Sequence, residues 1–232
     1  GSASSWCGSR RWWRRRRSGL WTRAVATPSA IRRARLARPA VELAPRLLGA
    51  SLVSDLGGAR VAVRLTEVEA YEGLSDPASH AFRGPTARSS IMFGPPGYLY
   101  CYFTYGMHWC ANIVCDLDGR ASAVLLRAAE VVVGLETARA RRPAARGVAE
   151  LGAGPARLAT CLGLATSANG LDLCDPASPV RLSRLTRSAM RYEAGPRVGI
   201  TVATERPWRF WLPGEPSVSG GRRARGGSGQ TG

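Results

Sequence analysis

The sequence predicts an α+β fold: a single mixed domain with a curved, mostly antiparallel sheet, flanking helices and a protruding β-hairpin. Three features carry that expectation. Residues 60–71 alternate with the period of two of β-strands, and 98–104 place their tyrosines on one face by the same period. Residues 108–115 return as the partner strand, and Tyr105-Gly106 between the last two runs reads as a hairpin tip. Helical patterns at 134–142 and 155–164 come only after these strands. A chain of 232 residues with 45% hydrophobic content can bury one substantial core, so one domain is expected.

Taken in order, residues 41–48 read as a short helix cut by Pro45, leading into an apolar stretch at 50–54. Asp55-Leu56-Gly57-Gly58 is a turn signal. The strand at 60–71 places Glu67, Glu69 and Tyr71 on one face and Val68 and Ala70 on the other. Residues 73–97, dense in Gly, Pro and Ser, form a loop. The run at 98–104 puts Tyr98, Tyr100 and Tyr102 on one face. Asp118-Gly119 signals a turn before a strand at 123–128, and short strands are expected near 197–202 and 208–212.

The formal net charge is +17, which suggests a polyanionic partner, but it is unevenly placed. Residues 1–40 hold 11 arginines and residues 220–232 hold 3 more, with no acid in either segment. The remaining 33 − 14 = 19 arginines face all 16 acids across 41–219, a balance of only +3. Residues 1–38 are expected to be a disordered basic tail, 39–218 the working domain, and 219–232 a second disordered tail. The first tail has the composition of a transit peptide but no apolar stretch of the secretory kind. It reads either as an arm that attracts phosphate or as the product of a start codon placed too far upstream.

Every one of the 33 basic residues is arginine. This excludes a lysine side chain as Schiff-base nucleophile, pyridoxal-phosphate chemistry, and the lysine of a phosphate-binding P-loop. The six cysteines show no C-x-x-C pair, and with two histidines no zinc spacing is present; reduced core thiols in a cytoplasmic protein are expected. No run of about 18 apolar residues suggests a membrane span.

Five of the six tyrosines lie between Glu67 and Asn112, beside the acidic strand and His80, one of the two histidines. Rings massed next to a carboxylate suit a site that stacks a flat ligand and activates water, and an extruded nucleobase is such a ligand. The ordinary reading of each residue stands beside this one. Glu69 alone would be a solvated strand carboxylate, Arg127 an ion-pair partner of Glu67 or Glu69, and His80 a loop histidine without a role. For Tyr100, core packing and ligand contact weigh equally, while His108, Trp109 and Met107 read as structural.

Four ordered motifs, Glu67-Val68-Glu69-Ala70-Tyr71, Met92-Phe93-Gly94-Pro95-Pro96-Gly97, the run 100–112, and Val124-Leu125-Leu126-Arg127-Ala128, resemble the alkyladenine (3-methyladenine) DNA glycosylase family of the mammalian-bacterial type. A weaker match continues at 152–164, and the likeness covers roughly residues 39–218. One loop departs from it: Thr86-Ala87-Arg88-Ser89 stands where the family has Thr-Pro-Arg-Asn. The resemblance implies a monofunctional glycosylase that flips alkylated or deaminated purines out of duplex DNA and excises them hydrolytically in base excision repair. Glu69 would be the general base, and Arg127 would help hold the water and a backbone phosphate. Tyr71, His80 and Tyr102 would sandwich the extruded base, while Asn112 would crowd the exocyclic amine of guanine. Tyr105 would wedge into the DNA minor groove from the hairpin tip. It further implies no cofactor and no metal, a monomer whose partner is double-stranded DNA containing damaged purines, and a nucleoid-associated place in the cytoplasm. Two other classes stay open: a non-catalytic damage-binding protein that keeps the wedge, and a formyltransferase-like or RNA-binding module sharing the fold.

Overall fold

The computed structural model describes residues 31–183, 185 and 190–219. The expected disorder of 1–30 and 220–232, and Cys7, lie outside the described residues. Among the described residues eight strands form one antiparallel sheet: β1 (Ser51–Ser54), β2 (Val61–Tyr71), β3 (Leu99–Thr104), β4 (His108–Val114), β5 (Ala123–Val133), β6 (Val180–Leu182), β7 (Glu193–Gly195) and β8 (Arg209–Trp211). The main path runs β3-β4-β5-β2-β1-β6. β2 is long enough to serve two neighbours on one edge. Residues 61–64 pair with β1, and Glu67–Glu69 pair with β8, which carries β7 outside it. The other edge of β2 pairs with β5.

Among the described residues three α-helices flank the sheet: α1 (Ala40–Leu47), α2 (Leu135–Arg141) and α3 (Pro155–Leu162). In α1 the buried residues Ala40, Leu43, Ala44 and Leu47 recur at helical spacing and face the core. The predicted interruption at Pro45 does not occur. Proline removes a single backbone donor from this short helix, and the buried face on both sides of it holds the turn together. α3 starts with Pro155 at its first position and ends on Gly163 in the left-handed region.

Three expectations are corrected. The domain begins before residue 39: Ile31 and Leu36 are buried in the core, Ile31 N–H donates to the Leu182 carbonyl, and Asp116 N–H donates to the Leu36 carbonyl. Arg33 anchors the same segment with a 2.5 Å ion pair to Asp172. At the other end Ser219, assigned to a tail, bonds to Glu67 and Arg127. Third, the strand expected near 197–202 is a loop. Gly199 takes φ 79°, Val198 and Val202 stay exposed, and the extended segment is β7 instead. The five described cysteines are all free, four buried and Cys174 half-buried. Among the described residues no helix is long and apolar enough to cross a membrane.

Candidate active site

A cavity of about 380 Å³ opens beside the β3–β4 hairpin, walled by Tyr71, His80, Tyr102, Asn112, Arg127 and the loop at 198–200. A smaller apolar cluster supports it from below, in which Tyr100 packs with Ala81, Met92, Val114, Ala121 and Ala123. Tyr100 is thus buried in this cluster and also lines the cavity, where its hydroxyl lies 3.0 Å from His80 Nδ1 and helps fix that ring. The His80 ring meets Tyr102 edge-on, with centroids 4.6 Å apart. Desolvation by the surrounding walls, aided by nearby Arg88, lowers the His80 pKa to about 4, so the ring is neutral at pH 7. Arg88, the arginine kept in the altered loop, stands 4.9 Å from the Tyr102 ring centroid.

Glu69 lies one layer behind the cavity wall, with no exposed surface. Its three partners all belong to the wall. Tyr71 donates its hydroxyl to Oε2 at 2.9 Å, Val198 donates its N–H to Oε1 at 2.8 Å, and Arg127 Nη1 stands 3.2 Å from Oε1. Burial raises the Glu69 pKa, against Arg127, the Val198 N–H and the Tyr71 hydroxyl, and the like charge of Glu67 adds to the rise. Burial, followed by the Glu69 charge, also pushes the Tyr71 hydroxyl up, so it stays protonated and donates.

Arg127 occupies an irregularity in the β2–β5 ladder. Glu67 opposes Ala128 and Val68 opposes Leu126, which leaves Arg127 as the extra residue between them. A bulge re-aims a side chain without ending the strand, and here it lets one guanidinium serve two carboxylates. Arg127 Nε donates to Glu67 Oε1 at 3.0 Å while Nη1 faces Glu69. Burial would depress the Arg127 pKa, but the two carboxylates outweigh it. Glu67 also accepts from Arg209 Nε at 2.6 Å and from the Ser219 N–H.

Tyr105 stands at the hairpin tip, 83% exposed, with φ 52° followed by Gly106 at φ 65°. The turn is closed by Met107 N–H donating to the Thr104 carbonyl. A tyrosine in the left-handed region is strained by roughly 1–2 kcal/mol, and no packing compensates at this tip. Asn112 is buried opposite Tyr100, and its side-chain amide donates to the Tyr100 carbonyl at 3.2 Å while the residue lines the cavity.

Tyr71, His80, Tyr102, Asn112 and Arg127 thus converge on one cavity, with Glu69 behind it and Tyr105 at its rim. Sequence reasoning missed the contribution of Val198, whose backbone N–H carries no signature in residue type. It also missed Arg197, which packs 4.6 Å from the Tyr71 ring centroid.

A sequence model of the methylpurine-DNA glycosylase family matches residues 34–216. Three bacterial relatives carry the name "putative 3-methyladenine DNA glycosylase". The chain is 48% identical to the Streptomyces avermitilis protein over 200 residues, covering 84% of this chain and 94% of that one. It is 52% identical to the Nocardia farcinica protein over 187 residues, covering 78% and 86%. It is 47% identical to the Mycobacterium tuberculosis protein over 194 residues, covering 82% and 93%. The chain belongs to the methylpurine-DNA glycosylase family, enzymes that hydrolyse N-glycosidic bonds in damaged DNA.

Proposed function

We propose that the protein flips alkylated or deaminated purines out of duplex DNA into the Tyr71–His80–Tyr102 cavity and excises them with a water activated by Glu69. The observation that carries this reading is the buried Glu69 carboxylate directly behind the ring-lined wall, fixed by three donors and raised in basicity by its burial. A water on the cavity side of the Glu69–Arg127 pair loses a proton to the carboxylate and bonds to C1′ of the sugar. The C1′–N bond breaks, and its electron pair leaves with the base. An N3- or N7-alkylated purine is already cationic and departs neutral, so it needs no second carboxyl group to protonate it. A neutral deaminated purine lacks that advantage and should leave more slowly.

The remaining residues divide the work of recognition. Tyr71, His80 and Tyr102 offer aromatic faces and edges to a flat base. Tyr105 fills the gap left in the duplex, as intercalating wedges do at kinked base steps. Asn112 crowds the position of the guanine amine and so disfavours the undamaged base. Arg127, already tied to Glu67, offers its remaining donors to the water and a nearby phosphate.

The test is excision from duplex oligonucleotides carrying one lesion each, read by alkaline strand cleavage. Because the chain has no lysine, release should leave an intact abasic strand until alkali is added, and borohydride should trap no protein–DNA adduct. Absence of excision on every lesion would refute the reading, and an efficient borohydride adduct would refute its water mechanism.

A further inference from the structure

We propose that Arg197 is a positioning residue of the excision reaction, clamping together the three segments that shape Glu69 and the stacking wall. The inference rests on the function proposed above. Arg197 and Asp76 are both fully buried and paired through both guanidinium ends, Nη1 to Oδ2 at 2.5 Å and Nη2 to Oδ1 at 2.8 Å. Arg197 Nη1 also donates to the Ala70 carbonyl at 3.0 Å, on the residue between Glu69 and Tyr71. The guanidinium lies 4.6 Å from the Tyr71 ring centroid and 5.1 Å from that of Trp208. The next residue in the chain supplies the N–H that bonds Glu69.

The clamp reaches the third segment through Asp76. Its Oδ1 accepts the Ala78 N–H at 3.2 Å and its carbonyl accepts the Ser79 N–H at 2.8 Å, in the turn that leads to His80. One ion pair therefore ties the end of β2, the 76–80 turn and the 197–200 loop to one another. A fully buried ion pair is a poor device for stability alone, since an apolar pair of similar size often does as well. Its worth here lies in what it orients. A planar guanidinium can span a carboxylate, a carbonyl and two ring faces at once, which a lysine ammonium cannot.

The charged and titratable groups around Glu69 are Glu67 and Tyr71 on its own strand, Arg127 from β5, Arg209 opposite it on β8 and Arg197 from the loop. Asp76 lies behind Arg197, and Tyr102 lies across the cavity. Loosening the clamp withdraws the Val198 N–H from Glu69. Both that loss and the loss of the Arg197 charge disfavour the carboxylate, so Glu69 should titrate at higher pH.

The experiment compares the full chain with Arg197→Lys and with the double variant Asp76→Leu/Arg197→Met, which leaves no orphaned buried charge. Three quantities are measured: thermal melting, the pH profile of single-turnover excision, and the Glu69 side-chain carboxyl resonance in ¹³C-labelled protein, identified by its absence in Glu69→Gln. A folded double variant should bind lesion DNA within a few-fold, excise about 10- to 100-fold more slowly, and show both its acidic limb and its Glu69 resonance moved to higher pH. Arg197→Lys should fall between the two. Slower excision with an unmoved Glu69 titration would reduce Arg197 to a structural residue and overturn the proposal, as would an unchanged rate. If the double variant does not fold, an unmoved Glu69 titration in Arg197→Lys overturns it. The resonance is read without turnover, so a wild-type chain that excises nothing would refute the proposed function and leave the clamp separately decided.

Discussion

Replacing Glu69 by glutamine removes a proton acceptor while leaving its surroundings nearly intact. The amide oxygen can take the place of Oε1, where the Val198 N–H at 2.8 Å and Arg127 Nη1 at 3.2 Å both donate. The amide NH₂ then faces Tyr71, whose hydroxyl is 2.9 Å from Oε2 and can rotate to accept. The Tyr71 O–H, losing its acceptor, is left to turn toward the cavity that this residue lines, and Arg127 keeps Glu67. Affinity for lesion DNA should therefore stay within a few-fold. The lost general base should slow single-turnover excision by about 10²–10⁴-fold, or about 3–5 kcal/mol of barrier. Excision near the wild-type rate would remove Glu69 from the mechanism.

The same variant carries a stability expectation with a definite sign. The Glu69 pKa is raised in the fold, so a destabilising contribution grows as the pH rises above the unfolded value and is complete once the pH passes the folded one. Below the unfolded value the group is protonated in both states and contributes no penalty. Glu69→Gln should thus be at least as stable as the wild type at pH 7, with the difference shrinking as the solution is acidified. Denaturant titrations at pH 4 and pH 7 check this, and a variant that is less stable only at neutral pH would reverse the assigned direction.

Tyr105→Ser should change stability by less than about 0.5 kcal/mol, because the side chain is exposed, yet weaken lesion binding and slow excision. Fluorescence of 2-aminopurine beside the lesion reports the flipped population, and an unchanged signal would place the wedge elsewhere. Asn112→Ala should relax discrimination against undamaged guanine more than it slows excision of alkyladenine, as read from paired oligonucleotides; unaltered discrimination would sink that role. Deleting residues 1–30 should leave single-turnover excision nearly intact, whereas deleting 1–38 strips Ile31 and Leu36 from the core. Losing a large buried apolar side chain costs about 2–5 kcal/mol, so the two truncations should separate clearly in a melting experiment, and equal melting points would contradict the packing of that segment.

What could be read from the sequence follows how local each signal is. The alternation at 60–71 and the hairpin at 98–115 depend on neighbours two residues apart, and they lead to β2, β3 and β4, although β2 is buried almost throughout and so shows no alternation of exposure. Pro45 misled because a local rule about one missing donor was set against a buried face that the sequence alone does not weigh. The segment at 31–38 was hidden by its arginines: Ile31 and Leu36 are two apolar residues in a basic run, and only the distant partners Leu182, Asp116 and Asp172 show that they pack. The candidate site divides the same way. Glu69 and Tyr71 share a strand face, so their meeting follows from period. Arg127 reaches two carboxylates only because the ladder slips beside it. The loop at 197–200 was the hardest part to foresee. Its β-branched residues imitate a strand, Gly199 breaks it, and its decisive group is a backbone N–H that meets Glu69 across 129 positions of sequence. A side chain advertises its chemistry in the sequence, but a peptide N–H is the same at nearly every position. Only the buried grip of Arg197 on Asp76 and on the Ala70 carbonyl distinguishes that one.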